Sequence, residues 1–277
     1  MSQPSQTRNY LTLDLSRNIY KALEASQLKY FSQRQLSTIV PNLACFYGDL
    51  STDPVDKRQS FFQPICPKQA YEQVISSAQR HDEFSQAGKA QNGYLTAMFR
   101  VLEIEDLLAG RASKNSWNPD DEPMPEGPID KYWESDALEM SDKTFRRIKG
   151  KLHASLHYSY KPKDEARAHV QSWLASGGSL PDEDCTRGEL AALVTMTIAR
   201  LSTKEFEDHR ISPVLLGSSA KNGYRIIVGL IDGGGRAIYI FKSSVWKFGP
   251  TLISEENTSS LCSVLGWHLS EPVGNTL

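Results

Sequence analysis

The chain has 277 residues, a formal net charge of −2 and a pI near 6.3. With 39% hydrophobic and 23% charged residues it can bury a core of its own, as one large domain or two modest ones. The near-neutral balance excludes a global pull toward nucleic acid or anionic membrane, and no apolar run reaches the length of a membrane span. Met1 to Thr7 is polar and lacks the apolar centre of a secretory signal. Cys45, Cys66, Cys185 and Cys262 form no CxxC pair, so the expectation is reduced thiols in a cytoplasmic protein, with no zinc site.

In chain order, Met1 to Asn9 reads as a tail. Leu13 to Leu28 places Leu15, Ile19 and Leu23 on one helical face, opened by Asp14 or Ser16, and Ser32 to Val40 reads as a second short helix stopped by Pro41. Asn42 to Pro67 reads as irregular chain with a strand at Leu43 to Tyr47. Pro67 suits the first position of a helix running to about Ala87, and a more apolar helix spans Tyr94 to Ala109 before Gly110. Lys114 to Pro128 mixes Pro119, Pro123, Pro125 and Pro128 with Asp120, Asp121, Glu122 and Glu126, the composition of an exposed loop. Ile129 to Leu156 begins acidic and ends basic, as the helix dipole favours, and reads as a helix; Lys163 to Ser176 reads as another, ended at Gly177-Gly178.

The organising stretch follows. Thr186 caps a helix with Leu190, Leu193, Val194, Thr197, Ile198 and Leu201 at spacings of three and four. Strands are predicted at Ile211 to Gly217, Tyr224 to Ile231 and Arg236 to Phe241, because Asn222-Gly223 and Asp232-Gly233 are strong hairpin turns between β-rich runs. Ser254 to Trp267 reads as the last helix. The fold class is α+β, with a helix-rich N-terminal part and a helix plus a three-stranded antiparallel meander near the C-terminus. Residues 1–113, 114–128 and 129–277 form helical region, acidic loop and α+β region, an order that one continuous domain also accommodates.

Two groups of residues could carry chemistry. Lys143, Arg146, Arg147, Lys149 and Lys151 form a basic stretch, continued by Lys161 and Lys163 and interleaved with His153, His157, Tyr158 and Tyr160. On a helix Lys143, Arg147 and Lys151 share one face, which suits phosphate contacts, though a solvated helix face has the same pattern. The second group surrounds the meander. Here His209, Asp208, Glu189 and Ser218 are the catalytic candidates, and Glu205, Asp232 and Arg200 the substrate-binding ones, all expected to meet in a single cavity. Turn chemistry alone would also explain Asp232 before three glycines.

The order helix-strand-strand-strand resembles the restriction-endonuclease-like core, in which strand acids and a lysine hold magnesium. Asp232 and Lys242 stand near the corresponding places, but Ile240 occupies the position of the second acid and offers no oxygen ligand. A phosphate loop is absent, since no Gly-Lys-Ser/Thr follows Gly233-Gly234-Gly235.

The segments Glu189 to Leu201 and Glu205 to Leu215, with Arg225 and Asp232-Gly233, resemble a widespread group of filamentous-fungal proteins over the last third of the chain. At one remove that group is similar to the fungal arginine-containing cyclodipeptide synthases. The resemblance implies aminoacyl-tRNA as partner, an arginine-containing cyclic dipeptide as small-molecule product, and no cofactor. It also implies an acidic pocket for the guanidinium, a base such as His209 and a phosphate-binding stripe such as Lys143 to Lys163. The alternative expectation is a non-catalytic nuclease-like module that binds nucleic acid or a protein, or another small-molecule biosynthetic enzyme.

Overall fold

The structure, a computed structural model, describes residues 9–50, 60–78, 93–108, 127–135, 145, 154–248 and 252–277. In chain order the elements are α1 (Tyr10–Ala25), β1 (Tyr30–Phe31), α2 (Gln33–Ile39), β2 (Ala44–Asp49), β3 (Phe62–Gln63), α3 (Pro67–Ala78) and α4 (Gly93–Leu108). Next come β4 (Trp133–Ser135), β5 (Ala154–Pro162), β6 (Val170–Ser176), β7 (Cys185–Thr186) and a helix we label α5 (Arg187–Leu201). The chain closes with β8 (Val214–Ala220), β9 (Gly223–Asp232), β10 (Ala237–Lys242), α6 (Thr258–His268) and β11 (Glu271–Pro272).

The predicted meander forms: β8, β9 and β10 pair antiparallel in sequence, turning at Lys221-Asn222 and at Gly233 to Arg236. At the second turn Asp232 accepts from the Gly234 amide at 3.0 Å. Gly233 must be glycine, because a Cβ there would lie 2.1 Å from the backbone of Leu11. The meander is the middle of a seven-stranded mixed sheet ordered β2-β10-β9-β8-β6-β5-β4, in which β2 runs parallel to β10 and β6 parallel to β8.

Helices cover both faces of this sheet, and the pleat sorts the side chains between them. Along β9, Ile227 and Ile231 face one core with Leu15 and Ile19 of α1 and Leu190 and Leu193 of α5. Their neighbours Tyr224, Ile226 and Val228 face the other, with Val101 and Ile104 of α4 and Leu261 and Leu265 of α6. Strands covered on both faces are buried without alternation, as β8 and β9 are along nearly their whole length. Thr186 and Glu189 form the capping box that starts α5: the Thr186 hydroxyl accepts from the Glu189 amide and the Glu189 carboxylate accepts from the Thr186 amide. Glu189 is the third residue of this helix, and its carboxylate is already committed there to the cap.

Three expectations are corrected. Lys163 to Ser176 is not a helix: β6 occupies its second half, hydrogen-bonded to β5 on one side and β8 on the other. Val170 and Leu174 face one core and Trp173 and Ala175 the other, an alternation hidden in sequence because both faces are covered. Ile129 to Leu156 is not one helix either. It contains β4 and the start of β5, and Trp133 on β4 donates its indole N–H to the Ser270 carbonyl at 2.8 Å. Asn9 belongs to the body of the protein, not to a tail; its buried amide donates to the Leu201 carbonyl at 2.6 Å. The basic residues Lys143, Arg146, Arg147, Lys149 and Lys151, and nearly all of the acidic proline-rich loop, lie outside the described residues.

Candidate functional site

The residues expected to share one cavity stand at two opposite ends of the sheet. Arg225 and Asp232 are seven residues apart on β9, roughly 23 Å at about 3.3 Å per residue. Glu189 lies at the Arg225 end, with Ser218 opposite Arg225 in the ladder. Arg200, near the far end of α5, lies roughly 16 Å from Glu189 along the helix axis. The single-cavity expectation is therefore corrected: Glu189 and Ser218 are separated from Glu205, Asp208, His209, Arg200 and Asp232.

At the Asp232 end the groups are committed to structure. Asp232 holds the Arg210 guanidinium through both oxygens, at 2.9 and 3.0 Å. His209 is buried, its Nδ1 is 2.6 Å from the Thr276 hydroxyl, and its ring packs edge-on against Phe206. Burial lowers the His209 pKa, opposed by the charge of Asp208. Arg200 donates to the His169 carbonyl at 3.1 Å and covers the Phe206 ring. Asp208 and Glu205 are exposed. The nuclease-like pairing of Asp232 with Lys242 fails on register: Asp232 pairs with Ala237 and Lys242 with Ile227, five ladder positions and roughly 17 Å apart.

At the other end a concave site is built from residues that the sequence marked only faintly. Strands β2, β10, β8 and β6 all point their carboxyl ends to this edge. Between β6 and β7 the chain crosses the edge as a strap from Leu180 to Asp184, and side chains of the meander take its carbonyls one after another. Asn222 donates to Leu180 O and accepts from the Leu180 amide. Arg225 donates to Pro181 O at 2.5 Å and to Asp184 O at 3.1 Å. The Lys242 ammonium donates to the carbonyls of Asp182, Glu183 and Asp184, so its three N–H groups are all engaged. With the carbonyls of Asp182 and Glu183 turned inward, their acidic side chains remain exposed at the surface.

Beneath the strap Arg225 also binds Glu189, Nε to Oε1 at 2.8 Å and Nη2 to Oε2 at 2.5 Å, with both side chains fully buried. Burial pushes the Glu189 carboxyl up, but the charge and hydrogen bonds of Arg225, the Thr186 amide and Ser218 outweigh it, and the net direction is down. Ser218 lies in this polar floor and not on a surface. The Lys242 pKa is lowered, by burial above all, and its ammonium lies 5.1 Å from the centre of the Tyr47 ring. Burial pushes the Cys45 and Cys185 thiols up to about 12 each, so neither is a thiolate nucleophile at neutral pH.

Above this floor opens a cleft of about 710 Å³, within the roughly 300 to 1,000 Å³ usual for small-molecule sites. Tyr47, Asp49, Asp182, Glu183, Lys242 and Ser243 line it. Ligand sites at the carboxyl ends of strands in open sheets follow from the strand ends and their loops converging there. Three acidic residues against one engaged lysine make the wall suited to a cation. Sequence reasoning gave Asp49, Asp182, Glu183 and Tyr47 no role, because nothing local says that residues so far apart meet. The one available signal was the acidic run Asp182-Glu183-Asp184 immediately before a helix cap. Among the described residues, no group of three or more His, Cys, Asp and Glu side chains is placed to hold a metal ion, and no helix is long and apolar enough to cross a membrane.

Comparison with protein-family models, with curated proteins and with solved structures found no match. What the fold and cleft define is a class: a three-layer α+β protein with an acid-lined cleft at the strand ends.

Proposed function

We propose that the protein is a small-molecule transferase whose acidic cleft holds the guanidinium of arginine, and specifically an aminoacyl-tRNA-dependent synthase of an arginine-containing cyclic dipeptide. The observation that supports this reading is the strap: Arg225 and Lys242 hold its carbonyls inward, so Asp182 and Glu183 line the cleft together with Asp49. Guanidinium is the cation best matched to paired carboxylates, because its planar fork donates two parallel hydrogen bonds.

In the reaction, the neutral α-amine of one aminoacyl ester attacks the ester carbonyl of the other. A C–N bond forms, the C–O bond to the first tRNA breaks, and that 3′-oxygen takes a proton. The free amine of the dipeptidyl ester then closes on its own carbonyl, releasing the second tRNA and the diketopiperazine. Both amino acids arrive activated, so the chemistry requires no nucleotide triphosphate. The basic residues Lys143, Arg146, Arg147, Lys149 and Lys151 are the proposed tRNA contacts. His209, tied to Thr276 at the far edge, has no part in this scheme.

The test is a metabolite comparison of a host with and without the expressed chain. Cyclic arginine dipeptides are expected with the unaltered chain and not with the Asp182→Asn/Glu183→Gln double variant. In extract, ribonuclease treatment is expected to stop their formation. A metabolite profile indistinguishable from the empty host rejects the reading.

A further inference from the structure

The strap from Leu180 to Asp184 turns a run of main-chain carbonyls toward the sheet, and two cationic side chains share them. Arg225 takes Pro181 O and Asp184 O, and its charge is answered directly by the buried Glu189 carboxylate. Lys242 is held differently. Its ammonium donates to Asp182 O at 3.1 Å, to Asp184 O at 3.3 Å and to Glu183 O, and the centre of the Tyr47 ring lies 5.1 Å away. These direct partners are three carbonyl dipoles and a ring face, all neutral, so the charge sits in a cage and not against a counter-ion. Carbonyl oxygens in such an arrangement replace the hydration shell of a potassium ion, and an aromatic face attracts any cation within about 6 Å.

The cage is shaped by more than its occupant. The Asn222 side chain anchors the strap at Leu180 through two hydrogen bonds, and Arg225 anchors it at Pro181 and Asp184. The Tyr47 hydroxyl donates to the Phe31 carbonyl at 3.1 Å, which fixes the ring. We infer that the strap carbonyls and Tyr47 form a monovalent-cation site of the potassium and ammonium class, which the chain fills with its own Lys242 ammonium. This site is separate from the guanidinium reading of the cleft and stands without it. A tethered cation loses no translational freedom on binding, so the strap keeps its order without any ion from solution. Lys242 is buried yet lines the cleft, so a shorter side chain at this position leaves the cage reachable from the cleft.

Two variants test the site. Lys242→Ala ends the side chain at Cβ and opens the cage, whereas Lys242→Met keeps an uncharged stem in its place. Both variants and the unaltered chain are melted in potassium, ammonium and sodium chloride at equal ionic strength. Sodium is smaller and needs closer oxygens than a cage spaced for an ammonium supplies. Lys242→Ala is expected to melt higher in potassium and in ammonium than in sodium by roughly 2–4 °C, the shift from a ligand at about four times its dissociation constant. Proteolytic cleavage between Leu180 and Asp184 is expected to slow in the same two salts. Lys242→Met and the unaltered chain are expected to show no such difference. Equal melting of Lys242→Ala in the three salts overturns the proposal, and so does a shift of the same size in Lys242→Met or in the unaltered chain, which places the ion elsewhere. A Lys242→Ala chain that folds in potassium or ammonium but not in sodium is the expected result in its strongest form. One that folds in none of them overturns the site.

Discussion

The Glu189 carboxylate and the Arg225 guanidinium form a bidentate pair with no exposed surface, one from the first turn of α5 and the other from the third position of the interior strand β9. Each also serves a second partner: Glu189 completes the helix cap, and Arg225 grips the strap that walls the cleft. The pair thus ties helix start, sheet and site together.

Removing both members should cost less than the two separate removals added together. Glu189→Gln or Arg225→Met leaves a buried charge without its counter-ion, and each is expected to cost about 3–5 kcal/mol in urea unfolding. The double variant should lose clearly less than the sum of the singles. Strict additivity in that cycle would show that the two charges do not interact.

Acid should unfold the protein through buried imidazoles before it protonates most carboxylates. Burial lowers the pKa of both His169 and His268 from 6.5 to about 3. Between those values the unfolded chain binds more protons at these positions than the folded one, so stability rises with pH across the window and is lost as pH falls from 6.5 toward 3. Glu189, whose carboxyl is held below its ordinary 4.5, adds a loss at the acidic end. His268→Gln should reduce the slope of unfolding free energy against pH by one proton, about 1.4 kcal/mol per pH unit below 6.5. An unchanged slope would remove His268 from this account.

Gly217 is the point where the sheet makes room for a polar contact in the core. The Tyr224 hydroxyl lies 2.6 Å from His268 Nε2, and His268 stacks on Trp173 with ring centres 4.7 Å apart. A Cβ on Gly217 would fall 1.9 Å from that hydroxyl and 2.7 Å from the imidazole nitrogen. Gly217→Ala is expected to destabilise by about 3 kcal/mol, with Tyr224→Phe in the same chain recovering part of the loss. Thermal melts of the single and double variants read the coupling directly.

Lys242 should matter for order in the strap more than for any chemistry of its own. Lys242→Met strands the inward carbonyls of Asp182 and Glu183, Asp184 O keeping Arg225, and the expected result is a stability loss of about 1–3 kcal/mol with faster proteolytic cleavage between Leu180 and Asp184. Unchanged cleavage there would mean that Arg225 and Asn222 suffice to hold the strap.

The elements with strong local signals were legible in the residues themselves. Thr186 with Glu189 marked the start of α5, Ser32 the start of α2, and Asn222-Gly223 and Asp232-Gly233 the two turns of the meander, because caps and tight turns are satisfied by groups within a few residues of one another. The strand at Val170 to Ser176 was not legible, since a strand buried on both faces shows no alternation and its neighbours come from elsewhere in the chain.

The site shows the same division more sharply. Sequence alone identified Glu189, Asp208, His209 and Asp232 as polar residues near strands, and that much is so. Only the tertiary structure decided that Glu189 is spent on Arg225, Asp232 on Arg210 and His209 on Thr276, while Asp49, Asp182 and Glu183 line one cleft. Local hydrogen-bonding needs are written into neighbouring residues. Which charges end up paired inside, and which line the cleft, depends on sheet register and strand order, and these join residues far apart in the chain, from 22 positions for Arg210 and Asp232 to more than a hundred for Asp49 and Asp182.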